Sequence, residues 1–74
     1  MTYTTLETVT VERPEDATHF CQETDSDWAC WYKKTECGHW SYMYADAKAG
    51  VEPLGEWRYN SQVDEDTLLH MIEL

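Results

Sequence analysis

The chain has 74 residues, and its 15 acidic and five basic side chains give a formal net charge of −10 at pH 7. This length predicts a single domain over residues 1–74, which buries only about 60% of the surface that its unfolded form exposes. The negative charge disfavours nonspecific binding to nucleic acid or to an anionic membrane surface, and it favours a basic partner.

Two features bear on the compartment in which the protein acts. The first residues lack the positive and apolar regions of a signal peptide, and no apolar run approaches the ~20 residues of a membrane span. Three cysteines are an odd number, so they cannot all pair within one chain, and reduced thiols fit best. We therefore expect a cytoplasmic protein.

The first 27 residues predict two strands separated by a turn. Residues 3–12 are rich in Thr and Val and lack Gly and Pro, which is the composition of a strand. Pro14 interrupts a strand ladder, so residues 13–16 are expected to form a turn, or one helical turn that begins at Pro14. Residues 17–22 predict a short strand, and residues 23–27 predict a polar loop.

The middle of the chain predicts an aromatic β-hairpin. Residues 28–34 and 39–45 are its two strands, and Gly38 can adopt the positive φ that the turn between them requires. Strict alternation places three aromatic side chains of the second strand on one face, namely Trp40, Tyr42 and Tyr44. Pairs of aromatic residues across the two strands would contribute roughly 0.2–1 kcal/mol each.

The last part of the chain predicts a short strand and a helix. Residues 46–55 contain two Gly and one Pro, as is typical of a connection, and residues 56–60 predict the strand. Residues 64–74 carry an apolar stripe at helical spacing, and Asp64 suits the N-cap. A helix of this length is marginal alone, so we expect it to dock on the sheet. The predicted fold is α+β, with a meander-like antiparallel sheet of three to five strands and one C-terminal α-helix.

Three short motifs follow one another along residues 14–44, namely Pro14-x-x-Ala17-Thr18-His19-Phe20, Trp31-Tyr32-Lys33 and Trp40-Ser41-Tyr42. Their order resembles a module of many small uncharacterised phage and prophage proteins, in which Gly usually stands at the position of Asp16. The resemblance implies a phage or prophage source and a meander fold, and with such a source the cytoplasm expected above is that of the host cell. Small acidic phage proteins are often inhibitors of host machinery, so an inhibitor is the expected role.

Five soft side chains are candidate metal ligands, namely His19, Cys21, Cys30, Cys37 and His39. Zinc requires four ligands in a tetrahedron, usually from pairs spaced C-x₂₋₄-C, and no such spacing occurs here. We therefore expect no metal or other cofactor. The alternative is a small structural zinc-binding module that uses His19, Cys21, Cys37 and His39, or Cys30 in place of one of them.

No catalytic residues are predicted from the sequence. A Cys beside a His can act as a nucleophile, but acidic surroundings raise the pKa of a thiol rather than lower it. The sequence has no Gly-rich loop for an oxyanion or a phosphate, and so short a chain has little room for a lined pocket. We expect a protein that is not an enzyme.

Carboxylates form two groups along the chain. Six lie within residues 12–27, and residues 64–66 hold three more. A solvated surface is the simpler interpretation. The alternative is nucleic-acid mimicry, because duplex DNA carries one charge per ~1.7 Å and a similar density of carboxylates can occupy a basic groove. Four Trp, five Tyr and one Phe exceed what a thin core can enclose, and exposed aromatic residues beside carboxylates are typical of a protein-binding hot spot.

These patterns predict a partner-binding surface made of six residues, namely Glu15, Asp16, Glu23, Asp25, Asp27 and Trp28. The expected partner is a basic host protein or ribonucleoprotein complex that handles nucleic acid or acts in defence, which makes the chain an anti-CRISPR or anti-restriction type of inhibitor. Direct contact with nucleic acid or membrane is not expected. A further alternative is a homo-oligomeric structural or virion accessory protein, with a homodimer as its simplest form.

Overall fold

The computed structural model describes residues 3–50, 55–60, 63 and 65–74. Within these residues, one antiparallel sheet holds five strands, namely β1 (His19–Cys21), β2 (Cys30–Lys34), β3 (Trp40–Tyr44), β4 (Arg58–Asn60) and β5 (Met71–Glu73). A 3-10 helix at Ala47–Ala49 follows β3, and the α-helix α1 (Glu65–His70) leads directly into β5.

The strands lie in the order β4-β3-β2-β1-β5. The first four strands each pair with their neighbour in the chain and form a meander, whereas β5 returns to the free side of β1. The predicted α+β fold, with an antiparallel sheet and a C-terminal helix, is therefore confirmed, although the helix is very short. In the described part of the chain, neither helix is long and apolar enough to cross a membrane.

The central hairpin is favoured both by the conformation of its turn and by the alternation of side chains along its two strands. Gly38 has a φ of 88°, and the backbone N–H of Thr35 donates to the carbonyl of His39 at 2.7 Å to close the turn. The alternation predicted for β2 and β3 is confirmed, since successive side chains pack into two different apolar clusters. Aromatic residues on one face meet across the strands, as Tyr32 does with Trp40 at 6.1 Å between ring centroids.

The larger cluster of buried core residues lies on the other face of the sheet. Its buried residues are Ala17, Phe20, Ala29, Trp31, Met43 and Ala45. Phe20 and Trp31 are the largest fully buried side chains, with ring centroids 4.9 Å apart. Such an aromatic pair contributes about 0.5–1.5 kcal/mol beyond the burial of its area.

The strand predicted at residues 3–12 is wrong. This segment instead begins with a turn in which the N–H of Thr5 donates to the Thr8 hydroxyl at 2.8 Å, and it then crosses the core face. Val9 and Val11 pack against the core there, and Val11 is fixed because the Trp31 Nε1–H donates to its carbonyl at 3.1 Å. Threonine hydroxyls bond to the nearby backbone and compete with a strand ladder, which composition alone does not reveal.

The helix predicted at residues 64–74 is wrong in its second half. It ends at His70, and the next three residues form β5, in which Ile72 lies opposite Phe20. A short helix is marginally stable alone, so extending it would gain little. As a strand, β5 instead makes hydrogen bonds to the backbone groups of β1, which would otherwise be an open sheet edge. The expected docking of the helix is also wrong, because none of its described residues is buried. The predicted N-cap, Asp64, lies outside the described residues.

Other predicted elements have shifted boundaries. The strands at residues 17–22 and 56–60 shorten to β1 and β4, and the turn before β1 is confirmed by the N–H of Ala17, which donates to the Pro14 carbonyl at 3.1 Å. Part of the connection predicted at residues 46–55, residues 51–54, lies outside the described residues.

Candidate functional site

The loop between β1 and β2 projects two carboxylates into solvent. The Thr24 hydroxyl accepts hydrogen bonds from the N–H groups of Ser26 at 3.3 Å and Asp27 at 3.1 Å, and the Thr24 N–H donates to the Asp27 carbonyl at 2.9 Å. These bonds close a tight turn, because threonine side chains readily cap nearby backbone donors. Asp25 and Asp27 are both exposed on this turn.

Glu23 anchors the loop to the rest of the protein. Its carboxylate accepts from Lys48 Nζ at 2.9 Å and from the Thr4 N–H at 3.2 Å, and only 8% of its side chain is exposed. The hydrogen bond from Lys48 holds the pKa of Glu23 below its usual value, with a smaller contribution from the Thr4 N–H. Glu23 was predicted to contact a partner, but its carboxylate is already occupied by these two donors.

Two aromatic side chains flank the same loop. The Tyr3 hydroxyl donates to Asp25, and this hydrogen bond raises the pKa of Tyr3. Trp28 is 41% exposed, with Lys48 Nζ lying 5.9 Å from its ring centroid. Tyr3, Trp28 and the loop line an open groove of about 310 Å³. An aromatic side chain beside a carboxylate is the arrangement that the sequence predicted for this loop.

Helix α1 brings one carboxylate of the second group, Asp66, to this loop. A neighbouring groove of about 360 Å³ is lined by the loop and by Asp66, Thr67 and His70 of the helix. We call Asp25, Asp27, Asp66 and Trp28 the acidic end. The sequence identified both groups of carboxylates, but it gave no signal that Asp66 would face the same groove as Asp25 and Asp27, since this depends on β5 pairing with β1.

Two of the six predicted contact residues lie elsewhere. Glu15 and Asp16 precede β1, whereas the acidic end follows it, so the length of β1 separates them. Asp16 is bound by Lys33, whose Nζ lies 2.6 Å from its carboxylate, and this hydrogen bond holds the pKa of Asp16 below its usual value. The structure therefore brings together four of the six residues, namely Glu23, Asp25, Asp27 and Trp28.

The four ligands of the alternative zinc site do not all come together at one place in the structure. Cys21 is buried opposite Cys30, at the end of β2 farthest from the hairpin turn that carries Cys37 and His39. His19 instead packs edge-on against Trp40, with 5.1 Å between ring centroids. No three His, Cys, Asp or Glu side chains among the described residues come together in an arrangement that could hold a metal ion.

The three thiols differ in burial and in pKa. Burial raises the pKa of Cys30 to about 12, with smaller contributions from Cys21 and Asp27, and Cys21 is also buried. Cys37 is exposed at the hairpin turn, where the Thr35 hydroxyl and then the His39 backbone N–H lower its pKa.

We expect iodoacetamide to alkylate one thiol of the folded chain at about pH 8, at least about tenfold faster than the other two. Mass spectrometry of a time course checks this, with Cys37 as the modified residue and Cys37→Ser as the control that abolishes the fast phase. Equal rates at Cys30 and Cys37 in the folded protein would contradict the assigned burial.

Comparisons with known proteins identify no relative. No protein-family model matches the chain, and neither a curated protein nor a solved structure matches it significantly. The geometry of the acidic end is therefore the basis for a function.

Proposed function

We propose that the chain is a non-enzymatic acidic binding protein, encoded by a phage, that inhibits a host nucleic-acid-handling or defence complex of the CRISPR or restriction type. The observation that carries this proposal is the convergence of Asp25, Asp27 and Asp66 on one open surface beside Trp28. The partner is a basic host protein or ribonucleoprotein, and the site of action is the host cytoplasm.

The charge of the acidic end supports binding in place of nucleic acid. Carboxylates from two separate segments lie close together without a lysine or arginine among the described residues that line their shared groove. A protein that binds DNA presents cations spaced to meet one phosphate charge per ~1.7 Å of duplex, and clustered carboxylates can meet the same cations. The remaining charge of the chain accelerates encounter with such a surface through long-range attraction.

Exposed apolar side chains beside the carboxylates provide the hydrophobic contact with a partner that charged groups do not provide. Trp28 stands beside the carboxylates, while Leu68 and Leu69 of α1 are 43% and 80% exposed on the helix that carries Asp66. Buried aromatic anchors contribute most of the affinity at protein interfaces, and charged rims contribute the rate and the specificity. The apolar stripe of residues 64–74 was expected to dock on the sheet, so the exposure of Leu68 and Leu69 was not predicted.

Neutralising the acidic end should abolish inhibition. We expect the combined substitutions Asp25→Asn, Asp27→Asn and Asp66→Asn to weaken partner binding by about tenfold or more, because three interface charges are lost while the shape is kept. The measurement is the efficiency with which a restricted phage forms plaques on bacteria that carry a defence system and express the native chain or the variant.

The matched control neutralises three carboxylates outside the acidic end, by Glu12→Gln, Glu36→Gln and Glu56→Gln, all at exposed positions. Both variants have the same net charge, so a general charge effect would act on them equally. The control should protect the phage as well as the native chain does. Equal loss of protection in the two variants, with both folded by circular dichroism, would contradict a role for the acidic end.

A further inference from the structure

The turn of the central hairpin carries two metal ligands at close range. Cys37 Sγ lies 3.6 Å from His39 Nδ1, with Gly38 between them in the left-handed conformation at a φ of 88°. Zinc binds thiolate sulfur at about 2.3 Å and imidazole nitrogen at about 2.0 Å, and a tetrahedral angle between these bonds separates the two donor atoms by about 3.5 Å. The pair therefore already has the spacing of two zinc ligands.

The turn holds these ligands in place. The Thr35 hydroxyl lies 3.2 Å from Cys37 Sγ, and it also accepts from the His39 N–H at 3.2 Å. The N–H of Gly38 donates to the Thr35 carbonyl at 3.0 Å, which fixes the backbone between the ligands. Cys37 is exposed and His39 is half-buried, so a metal ion can reach the pair from solvent.

One chain supplies only half of a tetrahedral site. Structural zinc sites are closed by four protein ligands, and no third His, Cys, Asp or Glu of the described residues joins this pair. We infer that two copies of the chain bind one zinc ion between their hairpin turns, through Cys37 and His39 of each copy. The site is incomplete without the second copy, and a two-fold axis through the ion relates the two halves.

The charge distribution favours this part of the surface for contact between copies. Residues 33–39 contain two lysines and one glutamate, and one of the lysines, Lys33, is paired with Asp16, so this segment is close to neutral within a chain of net charge −10. Approach through the turns therefore keeps the acidic surfaces apart. The remaining repulsion between two acidic chains is screened by salt, so dimerisation should strengthen as ionic strength rises. Binding of a basic partner should weaken under the same change.

Tyr59 competes with the metal for one of these ligands. Its hydroxyl hydrogen-bonds to His39 Nδ1, and the residue is 61% exposed, so its side chain can move away when the nitrogen binds metal. Removing the hydroxyl with Tyr59→Phe should therefore tighten zinc binding by about fivefold, the effect of losing one competing hydrogen bond. An unchanged or weaker affinity would contradict coordination through Nδ1.

The test is titration of the purified chain with zinc under a phosphine reductant, followed by light scattering and elemental analysis. We expect a dimer that retains half an equivalent of zinc per chain after dialysis. Cobalt should give the intense visible bands of a tetrahedral site and a thiolate charge-transfer band. The reductant excludes a disulfide between two Cys37 residues as the cause of dimerisation.

Cys37→Ser and His39→Gln should each abolish the zinc-dependent dimer, while His70→Gln, at an exposed histidine of α1, should leave it unchanged. Circular dichroism confirms that the variants are folded. A chain that stays monomeric in excess zinc, or a dimer that persists in Cys37→Ser, would overturn the inference. Neither result bears on the acidic end, because its three carboxylates are absent from this site.

Discussion

Replacing Trp31 by Ala should destabilise the protein by about 4 kcal/mol, which is most of the stability of a domain this small. Trp31 is 1% exposed and packs on Phe20 in the core. Its indole N–H also holds the Val11 carbonyl at 3.1 Å, so the substitution releases the N-terminal segment as well as opening a cavity. This single side chain joins the sheet to the segment that covers it.

Urea unfolding followed by far-ultraviolet circular dichroism measures this effect without relying on tryptophan fluorescence. The control is Leu69→Ala, at a position that is 80% exposed, which should change the free energy of unfolding by less than about 0.5 kcal/mol. A similar free energy of unfolding for Trp31→Ala and the native chain would show that Trp31 is not in the core.

Replacing Asp46 by Ala should cost about 3 kcal/mol, although the residue is a carboxylate outside the sheet. Asp46 is buried and caps the 3-10 helix by accepting from the Lys48 N–H at 3.0 Å. It also accepts from the buried Thr4 hydroxyl, which loses its acceptor when the carboxylate is removed. Asp27→Ala, at an exposed position of the neighbouring loop, is the control and should have an effect below about 0.5 kcal/mol.

The stability that Asp46 contributes should depend on pH. Burial acts to raise the pKa of Asp46, but the hydrogen bonds from the Lys48 N–H and the Thr4 hydroxyl outweigh it and lower the pKa below its usual value. A lowered pKa in the folded state means that the contribution is complete above about pH 4 and is lost as pH falls through the folded value.

Denaturation of the native chain and of Asp46→Ala at a series of pH values checks this dependence. The difference in unfolding free energy should be constant from about pH 8 to about pH 5 and should shrink at lower pH. A difference that grew on acidification would mean that the carboxyl is protonated in the folded protein.

Local patterns predicted the centre of the fold and failed at both ends of the chain. The hairpin of β2 and β3 followed from alternation and from Gly38, because these signals act between neighbours in sequence. Residues 3–12 and β5 depend on distant partners, namely the Ala45 carbonyl that binds two N–H groups of the first segment and the open edge of β1. Composition carries no information about such partners.

The candidate site was predictable only in part, because sequence signals group residues that are neighbours in the chain. Asp25, Asp27 and Trp28 lie within one loop, so the sequence alone grouped them correctly. Asp66 lies near these residues only because the chain returns to pair with β1. Asp16 lies at the other end of β1, where Lys33 binds it. Glu23 cannot be told from its exposed neighbours by sequence, because what distinguishes it is the three-dimensional position of Lys48 and of the Thr4 N–H.

The most direct measurement is the salt dependence of binding between the immobilised chain and basic proteins of a bacterial lysate, from about 50 mM to about 500 mM salt. We predict a basic, nucleic-acid-handling protein or ribonucleoprotein that is retained at low salt, released at high salt, and lost when Asp25, Asp27 and Asp66 are neutralised. The control with three other carboxylates neutralised should retain it. Retention that is equal for both variants and insensitive to salt would contradict an acidic end that occupies a basic surface.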